Sequence, residues 1–169
     1  TVGTSQLVVL ASGYVGIGVS SRGLAALAFG DTKDAAREAV QARLPKATFV
    51  PATSDLSGMI ASVVKLVDNP GSLPDLPLDI RGTAFQERVW QALRKIPAGT
   101  TRSYAQIAQE IGRPASHRAV ANACGANRIA VAIPCHRVVA SNGGVGGYAF
   151  GVARKKALLA KEAAKRSAS

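Results

Sequence analysis

The sequence predicts an α+β fold in two parts, and three observations support this. Residues 6–29 are rich in Val, Leu and Gly, with turn signals near residues 12 and 22, which indicates short strands in an antiparallel meander. The second half has apolar residues at helical spacing, separated by tight turns. Between them, residues 69–77 contain three prolines and form the clearest linker. We therefore predict a sheet domain over residues 1–75 and a mostly helical domain over residues 76–169.

Two helices are predicted beside the strands of the first domain. One runs from Asp31 to Leu44, with Asp31 or Thr32 as its N-cap. The other runs from Leu56 to Val67 and ends at Asn69-Pro70-Gly71. The first domain should therefore be a small sheet covered by one or two helices.

Three helices are predicted in the second domain. Phe85 to Ile96 has apolar residues at helical spacing. Ser103 is placed to cap a helix from Tyr104 to Ile111, and Ser116 to cap a helix from His117 to Gly125. Two short helices joined by a tight turn in basic surroundings are typical of a helix-turn-helix, although many such pairs never contact DNA.

The second helix of this pair has little side-chain bulk. Its small residues are Ala119, Ala121, Ala123, Gly125 and Ala126. Arg118, Asn122 and the following Arg128 supply the long side chains. A helix that reads bases in the major groove presents longer polar side chains, so the pattern suits close approach to a backbone or a narrow groove. Packing of the alanines against neighbouring helices explains it equally well.

The positive charge lies in the second half. Residues 1–77 carry six Lys/Arg and six Asp/Glu, whereas residues 78–169 carry fifteen and four, so the whole formal charge of +11 lies there. This asymmetry favours a polyanionic partner, above all nucleic acid. A solubilising surface and an anionic membrane are the alternatives.

Other features exclude several classes of protein. The first residues lack the basic start and cleavage site of a signal peptide, and no apolar run approaches the roughly 20 residues that cross a bilayer. We therefore expect a soluble, intracellular protein. Cys124 and Cys135 do not have the paired spacing of a structural zinc site, and a reducing compartment does not favour a disulfide.

The segment around Cys135 contains a candidate nucleophile. Pro134 ends an apolar run, and Cys135-His136-Arg137 follow. Only the thiolate attacks, and a free cysteine has a pKa of about 8.5, so the thiol needs a nearby base or positive charge. A buried, inert cysteine is the alternative. The adjacency of His136 does not decide between them, because neighbours in an extended segment point to opposite sides.

The run Ile133-Pro134-Cys135-His136-Arg137-Val138 resembles the active-site signature of the O6-alkylguanine-DNA alkyltransferases. The resemblance is specific over about residues 76–166 and loose over 1–75. Residues 76–82 are similar in particular to the C-terminal domain of the bacterial adaptive-response protein Ada. Further matches at family spacing are Phe85-Gln86, Val89-Trp90, Ile96-Pro97 with Gly99, Ser103-Tyr104, Arg118-Ala119-Val120, Asn127 and Gly146-Gly147-Tyr148.

The resemblance implies four residues for the chemistry. Cys135 would accept the alkyl group, and His136 would draw off the thiol proton through a water. Glu162 would orient His136 and stabilise its charge. Asn127 would stabilise the turn that brings the helix-turn-helix against the Cys135 segment.

Glu162 also has a case that is independent of the resemblance. It is the only carboxylate after Glu110, and it lies in a strongly basic stretch. The alternative is a solvated helix residue that pairs with Lys165 or Arg166.

The resemblance also implies the substrate contacts. Tyr104 would donate its hydroxyl to the guanine ring as negative charge develops there, although a core aromatic is the alternative. The carbonyls of Cys135 and Val138, together with Tyr148 and Ala149, would line the pocket. Cys124 is expected to be a packing residue.

For DNA, the resemblance implies docking of the alanine-rich helix in the minor groove of a duplex. The attacked atom lies on the major-groove edge, so the base must be flipped out. Arg118 would enter the stack and fill the gap. The other expected DNA contacts are Ser103, Ala119, Ala123, Arg128 and Arg137.

The activity so implied is a single-turnover transfer of the alkyl group from O6-alkylguanine, and from O4-alkylthymine, to Cys135, without metal or cofactor. The resemblance implies a ribonuclease-H-like domain over 1–75 and a winged-helix-like domain over 76–169. We expect a monomer in the bacterial cytoplasm that associates with the nucleoid through DNA. A non-catalytic lesion binder and a helix-turn-helix regulator are the alternatives. The chain could be part of a longer adaptive-response regulator or a stand-alone enzyme.

Overall fold

The computed structural model describes residues 2–10, 13–45, 47–51, 57–70 and 77–168. The chain forms two compact units: residues 1–81 with 128–130, and residues 82–127 with 131–169. Most of the predicted linker, residues 71–76, lies outside the described residues. The predicted domain boundary after residue 75 therefore stays a prediction, and the first unit continues to Arg81.

The first unit is built on a four-stranded sheet. Its strands are β1 (Val2–Leu10), β2 (Gly13–Ser20), β3 (Gly23–Gly30) and β4 (Thr48–Pro51). They lie in the order β3-β2-β1-β4. The pairs β1–β2 and β2–β3 are antiparallel, which confirms the predicted meander. Strand β4, which was not predicted, pairs in parallel with β1, so the sheet is mixed.

Two helices accompany the sheet, α1 (Lys33–Arg43) and α2 (Ser57–Asp68). The Thr32 side chain accepts a hydrogen bond from the backbone N–H of Ala35 and caps α1. Two sheet glycines allow α1 to approach closely. A Cβ at Gly16 would lie 2.6 Å from the carbonyl oxygen of Ala36, and one at Gly30 would lie 2.3 Å from its nitrogen. The predicted α1 is confirmed within two residues at its start and one at its end.

The edge strand β3 is covered by two later segments of the same unit. The Leu24 N–H donates to the carbonyl of Pro77, and the N–H of Asp79 donates back to Leu24. Further along, the N–H of Leu27 donates to the carbonyl of Arg128. These bonds occupy backbone groups that an edge strand would otherwise leave unpaired.

The second unit is mainly helical. It contains α3 (Ala84–Arg94), α4 (Tyr104–Glu110), α5 (His117–Gly125) and α6 (Val152–Ala168). Capping boxes begin two of them: Thr83 exchanges hydrogen bonds with Gln86 at α3, and Ser103 with Gln106 at α4. Ser116 is the N-cap residue of α5, but its side chain makes no capping hydrogen bond. The predicted helices of the helix-turn-helix are thus present, with the predicted bounds of α5.

One contact joins two of these helices, and another joins the start of α4 to the segment that follows α5. The indole N–H of Trp90 on α3 donates to the carbonyl of Ala123 on α5 at 2.9 Å. A short parallel pair joins β5 (Arg102–Ser103) to β6 (Val138–Val139). Since β5 leads directly into α4, this pair fixes the start of α4 beside the residues that follow Cys135. In the part of the chain that the structure describes, no helix has the length and apolar character needed to span a bilayer.

Candidate active site

Cys135 begins a single 3₁₀ turn, Cys135–Arg137, directly after Pro134. Its side chain is buried, with 4% of the residue exposed. The Nδ2 atom of Asn127 donates to the Cys135 sulfur at 3.1 Å and to the carbonyl of Ile133 at 2.8 Å. The Asn127 amide, just after α5, therefore fixes the backbone two residues before Cys135 and also donates to the sulfur. A donor in this position favours the thiolate over the thiol.

His136 lies in the core with no exposed surface. Its Nε2 atom is 2.9 Å from Oε2 of Glu162. A carboxylate only accepts hydrogen bonds, so the neutral ring carries its proton on Nε2 and presents Nδ1 as an acceptor. Nδ1 is buried and has no hydrogen-bond partner among the described residues. Burial lowers the pKa of His136, and the hydrogen bond to Glu162 opposes this only in part. His136 is therefore held in its neutral, proton-accepting form.

Glu162 projects from α6 and is 1% exposed. It accepts hydrogen bonds from His136 and from the guanidinium of Arg137, whose Nη2 lies 2.6 Å from Oε2. Burial alone would raise the pKa of Glu162, but these hydrogen bonds outweigh it and lower the pKa below its ordinary value. The alternative of a solvated pair with Lys165 or Arg166 is wrong, because the Glu162 carboxylate is enclosed in the fold.

A cavity of about 330 Å³ lies at the thiol. It is lined by Tyr104, Ala121, Cys124, Gly125, Cys135, Gly147, Tyr148 and Ala149. The structure thus brings four predicted site residues, Cys135, Tyr104, Tyr148 and Ala149, to one cavity. Val138 is not among the lining residues, and its carbonyl accepts a hydrogen bond from Lys155.

Tyr104 is one of two tyrosines that line this cavity. Burial raises the pKa of Tyr104 to about 12, and negative charge on the nearby sulfurs of Cys124 and Cys135 acts in the same direction. The hydroxyl therefore stays protonated near neutral pH. Gly146 has a φ of +78°, and a Cβ there would lie 3.2 Å from the Tyr104 hydroxyl oxygen. A glycine at this position lets the loop close over the ring.

Lys155 is a site residue that the sequence analysis missed. It lies on α6 with no exposed surface, and its Nζ donates to the carbonyls of Val138 at 2.5 Å and Gly147 at 3.0 Å. Nζ also lies 5.9 Å from the centre of the Tyr104 ring. In a basic, Ala-rich helix a lysine is expected to face solvent, so only the spacing of seven residues between Lys155 and Glu162 indicates that both lie on the inner face of α6.

The predicted DNA contacts fall into two groups. Arg118 is exposed, and Ser103, Ala119 and Arg128 are half-buried. By contrast, Ala123 is 2% exposed and Arg137 is 8% exposed, with the Arg137 guanidinium bound to Glu162 and to the carbonyl of Ile96. The expected DNA contacts of Ala123 and Arg137 are therefore corrected: both side chains are committed to the core.

Size alone does not select the site. A larger groove of about 620 Å³ runs along α3 to the end of α4 and has Glu87, Arg88 and Lys95 among its lining residues. No cysteine or histidine lines it. The smaller cavity is lined by the Cys135 thiol, and the next residue in the chain, His136, forms a buried pair with Glu162. A thiol beside such a pair is expected of an active site. Among the described residues, no cluster of three or more His, Cys, Asp or Glu side chains could hold a metal ion.

The family model matches only the second unit of this chain, whereas one solved structure matches almost its whole length. The family model of the 6-O-methylguanine DNA methyltransferase DNA-binding domain matches residues 84–164. The regulatory protein Ada of Salmonella typhimurium is 48% identical over 146 residues, which is 86% of this chain and 41% of that protein. A methylated-DNA–protein-cysteine methyltransferase of Mycobacterium bovis is 54% identical over 88 residues, 52% of this chain and 53% of that protein.

The chain thus covers less than two thirds of either of these relatives. A solved structure matches it over almost its full length. The crystal structure of Mycobacterium tuberculosis OGT in complex with DNA superposes with a TM-score of 0.78 and 34% identity, and the match covers 98% of this chain and 94% of that one. Together with the family model, this shows that the chain belongs to the O6-methylguanine-DNA methyltransferase family.

Proposed function

We propose that this protein repairs alkylated DNA by transferring the alkyl group from O6 of guanine to Cys135. The observation that carries the proposal is a buried thiol at the wall of a cavity, with an amide donor aimed at its sulfur and a neutral, carboxylate-bound imidazole next to it in the chain. The names of the relatives support the same chemistry, since one is a methylated-DNA–protein-cysteine methyltransferase.

The thiol is activated by the pair of His136 and Glu162. Nδ1 of His136 is the one basic nitrogen of the ring that no protein donor occupies among the described residues, so it accepts the thiol proton through a bridging water. Glu162 keeps the ring in the required tautomer and stabilises the imidazolium. Arg137 holds Glu162 in place and keeps the carboxylate ionised.

The transfer is a single displacement at the alkyl carbon. The bond between carbon and the Cys135 sulfur forms as the bond between carbon and O6 breaks. Guanine leaves with its electron pair and takes up a proton from water, which balances the proton lost by the thiol. Tyr104, which keeps its proton because its pKa is raised, donates a hydrogen bond to the ring as negative charge develops. The thioether product is stable, so each molecule reacts once, without metal or cofactor.

The base must leave the duplex to reach a thiol inside a cavity. We assign docking to α4 and α5. On α5 the exposed residues Ala121 and Gly125 leave little bulk on the surface beside the cavity. A small-residue face can enter the minor groove, and the exposed Arg118 fills the gap that the rotated nucleotide leaves. The basic second half supplies sequence-independent affinity that falls with salt.

Further parts of the proposal concern the whole protein. We propose that the first unit is ribonuclease-H-like and the second winged-helix-like, that O4-alkylthymine is also repaired, and that the protein acts as a monomer on the bacterial nucleoid. The bacterial origin of the relatives and the DNA complex of the solved structure support this setting.

The intact mass after mixing with a duplex that contains one O6-methylguanine tests the proposal. The expected gain is one methylene per molecule, mapped to Cys135, absent in Cys135→Ala and present in Cys124→Ala. Lesion-selective binding without a mass change would indicate a non-catalytic lesion binder. A sequence-specific footprint without lesion preference would indicate a regulator. Either of these outcomes would contradict the proposal.

A further inference from the structure

The buried Lys155 is not explained by the proposed relay of His136 and Glu162. It has no exposed surface, and its two hydrogen-bond acceptors, the carbonyls of Val138 and Gly147, are neutral. No carboxylate among the described residues forms an ion pair with it. Removing a lysine from water without an opposite charge lowers the stability of the fold, so we expect the burial of Lys155 to serve a function.

The charges around the cavity show what Lys155 could balance. Glu162 and Arg137 form an ion pair and cancel, and burial keeps His136 neutral. Tyr104 and Cys124 both have raised pKa values and stay protonated. With Cys135 as a thiol, the buried set therefore carries one uncompensated positive charge, on Lys155. With Cys135 as a thiolate and the proton released, the set is neutral.

The position of Lys155 agrees with this count of the charges around the cavity. One of its acceptors, Val138, lies three residues after Cys135, and the other, Gly147, lines the same cavity as the thiol. The third group that faces Nζ, the Tyr104 ring, also lines that cavity. The ammonium is thus held by groups from β6, from the loop that contains Gly147 and from α4, all of which border the Cys135 site.

We propose that Lys155 is the counter-cation of the Cys135 thiolate, a positioning residue whose positive charge balances the thiolate once the relay has released the thiol proton and His136 is neutral again. This inference rests on the proposed function of Cys135. The electrostatic coupling agrees in sign: burial lowers the pKa of Lys155, and the charge on Cys135 raises it. Lys155 also helps to keep His136 neutral, because its charge lowers the pKa of that imidazole.

The pH dependence of Cys135 alkylation by iodoacetamide, quantified by peptide mass spectrometry, tests the proposal without DNA. The expected result is a thiol pKa at least about one unit higher in Lys155→Met and in Lys155→Gln than in the parent, with a loss of about tenfold in rate at neutral pH that high pH restores. Lys155→Arg, which keeps the charge, should stay close to the parent. Lys156→Gln, at the exposed neighbouring position, is the matched control.

The glutamine variant separates charge from structure. Its amide retains two N–H donors for the carbonyls of Val138 and Gly147, so a purely structural role predicts that Lys155→Gln keeps the parental thiol pKa. That result would overturn the proposal. The reciprocal measurement needs no substitution of the lysine: in Cys135→Ala, the pKa of Lys155 measured by NMR should fall, and an unchanged value would also overturn it. Failure of methyl transfer to Cys135 with an intact thiol shift would instead contradict the proposed function.

Discussion

The two units of this protein have cores of different kinds. In the first unit the sheet core is apolar, with Val15, Ile17, Leu24 and Leu27 fully buried. Of the six buried polar or charged side chains among the described residues, the first unit holds only Asp79. The other five belong to the second unit: Asn127, His136, Arg137, Lys155 and Glu162.

This difference indicates that the second unit contains buried polar groups that lower its stability and serve a chemical function. A buried charge costs several kcal/mol unless it is well paired, and an apolar residue of similar volume is often at least as stable. A fold has no need of five buried polar or charged side chains in one small unit. Their concentration around Cys135, with every one of them tied to the thiol, the cavity or the His136–Glu162 pair, therefore locates the site more sharply than the volume of any groove.

The largest expected effect follows from breaking the charge pairing in the second unit. Glu162→Leu leaves the Arg137 guanidinium buried without its carboxylate, so the free energy of unfolding should fall by about 3–5 kcal/mol. Urea unfolding followed by the fluorescence of Trp90, the only tryptophan, measures it. A loss below about 1 kcal/mol would show that the ion pair contributes little.

A smaller effect is expected from the apolar core of the first unit. In Gly30→Ala the new Cβ would lie 2.3 Å from the backbone nitrogen of Ala36, so α1 must shift, at a cost of about 1–3 kcal/mol. Methyl transfer by the folded molecules should be unchanged. Gly58→Ala is the control, since nothing lies within 4 Å of its Cβ and alanine favours a helix. Equal stabilities of the two variants would be incompatible with close packing of α1 on the sheet.

Tyr104→Phe should affect the rate and leave the stability nearly unchanged. The hydroxyl is proposed to act only as negative charge develops on the leaving guanine, so its loss should slow methyl transfer by about tenfold, or ~1.4 kcal/mol. Single-turnover rates with an excess of protein over lesion duplex measure the effect. A parental rate would remove Tyr104 from the proposed mechanism.

The smallest expected effect is the loss of folding stability in mildly acidic solution, which depends on His136. The pKa of His136 is lowered in the folded protein, so as pH falls below about 6.5 the unfolded chain gains a proton that the folded one resists, and stability decreases. Glu162 and Asp79, whose pKa values are also lowered, contribute stability that is lost only at more acidic pH. Between pH 7.5 and 5.5 the slope should be at most about 1.4 kcal/mol per pH unit and should disappear in His136→Gln. A slope that persists in this variant would assign it to another group.

Much of the fold was predictable because its signals are local. The turn that follows β2, the Thr32 cap and the capping box at Ser103 each depend on a few adjacent residues. The strand β4 was missed because the β1 residues that pair with it lie more than 40 positions earlier, as Val2 does from Thr48, and short parallel pairs have no turn that marks them. The left-handed backbone at Val131, with a φ of +68°, could not be predicted either, since a β-branched residue rarely adopts it.

The site residues that belong to a recognisable motif could be predicted from the sequence. The signature around Cys135 indicated the thiol and the imidazole, and the resemblance added Tyr104 and Glu162. Arg137 was assigned to DNA because an arginine in a basic half usually faces a polyanion, whereas its actual partner, Glu162, lies 25 residues away. Lys155 was missed for a similar reason: sequence shows its charge but not its burial.

The central claim is that the buried polar groups of the second unit serve transfer to Cys135 and not stability. Its most direct test replaces three of them together, in the variant His136→Leu, Arg137→Met, Glu162→Leu, and measures urea unfolding and the mass gain with an O6-methylguanine duplex. The account predicts a folded protein of about parental stability, or higher, that gains no methylene at Cys135 on the parental timescale. Methyl transfer at the parental rate by this variant would contradict it.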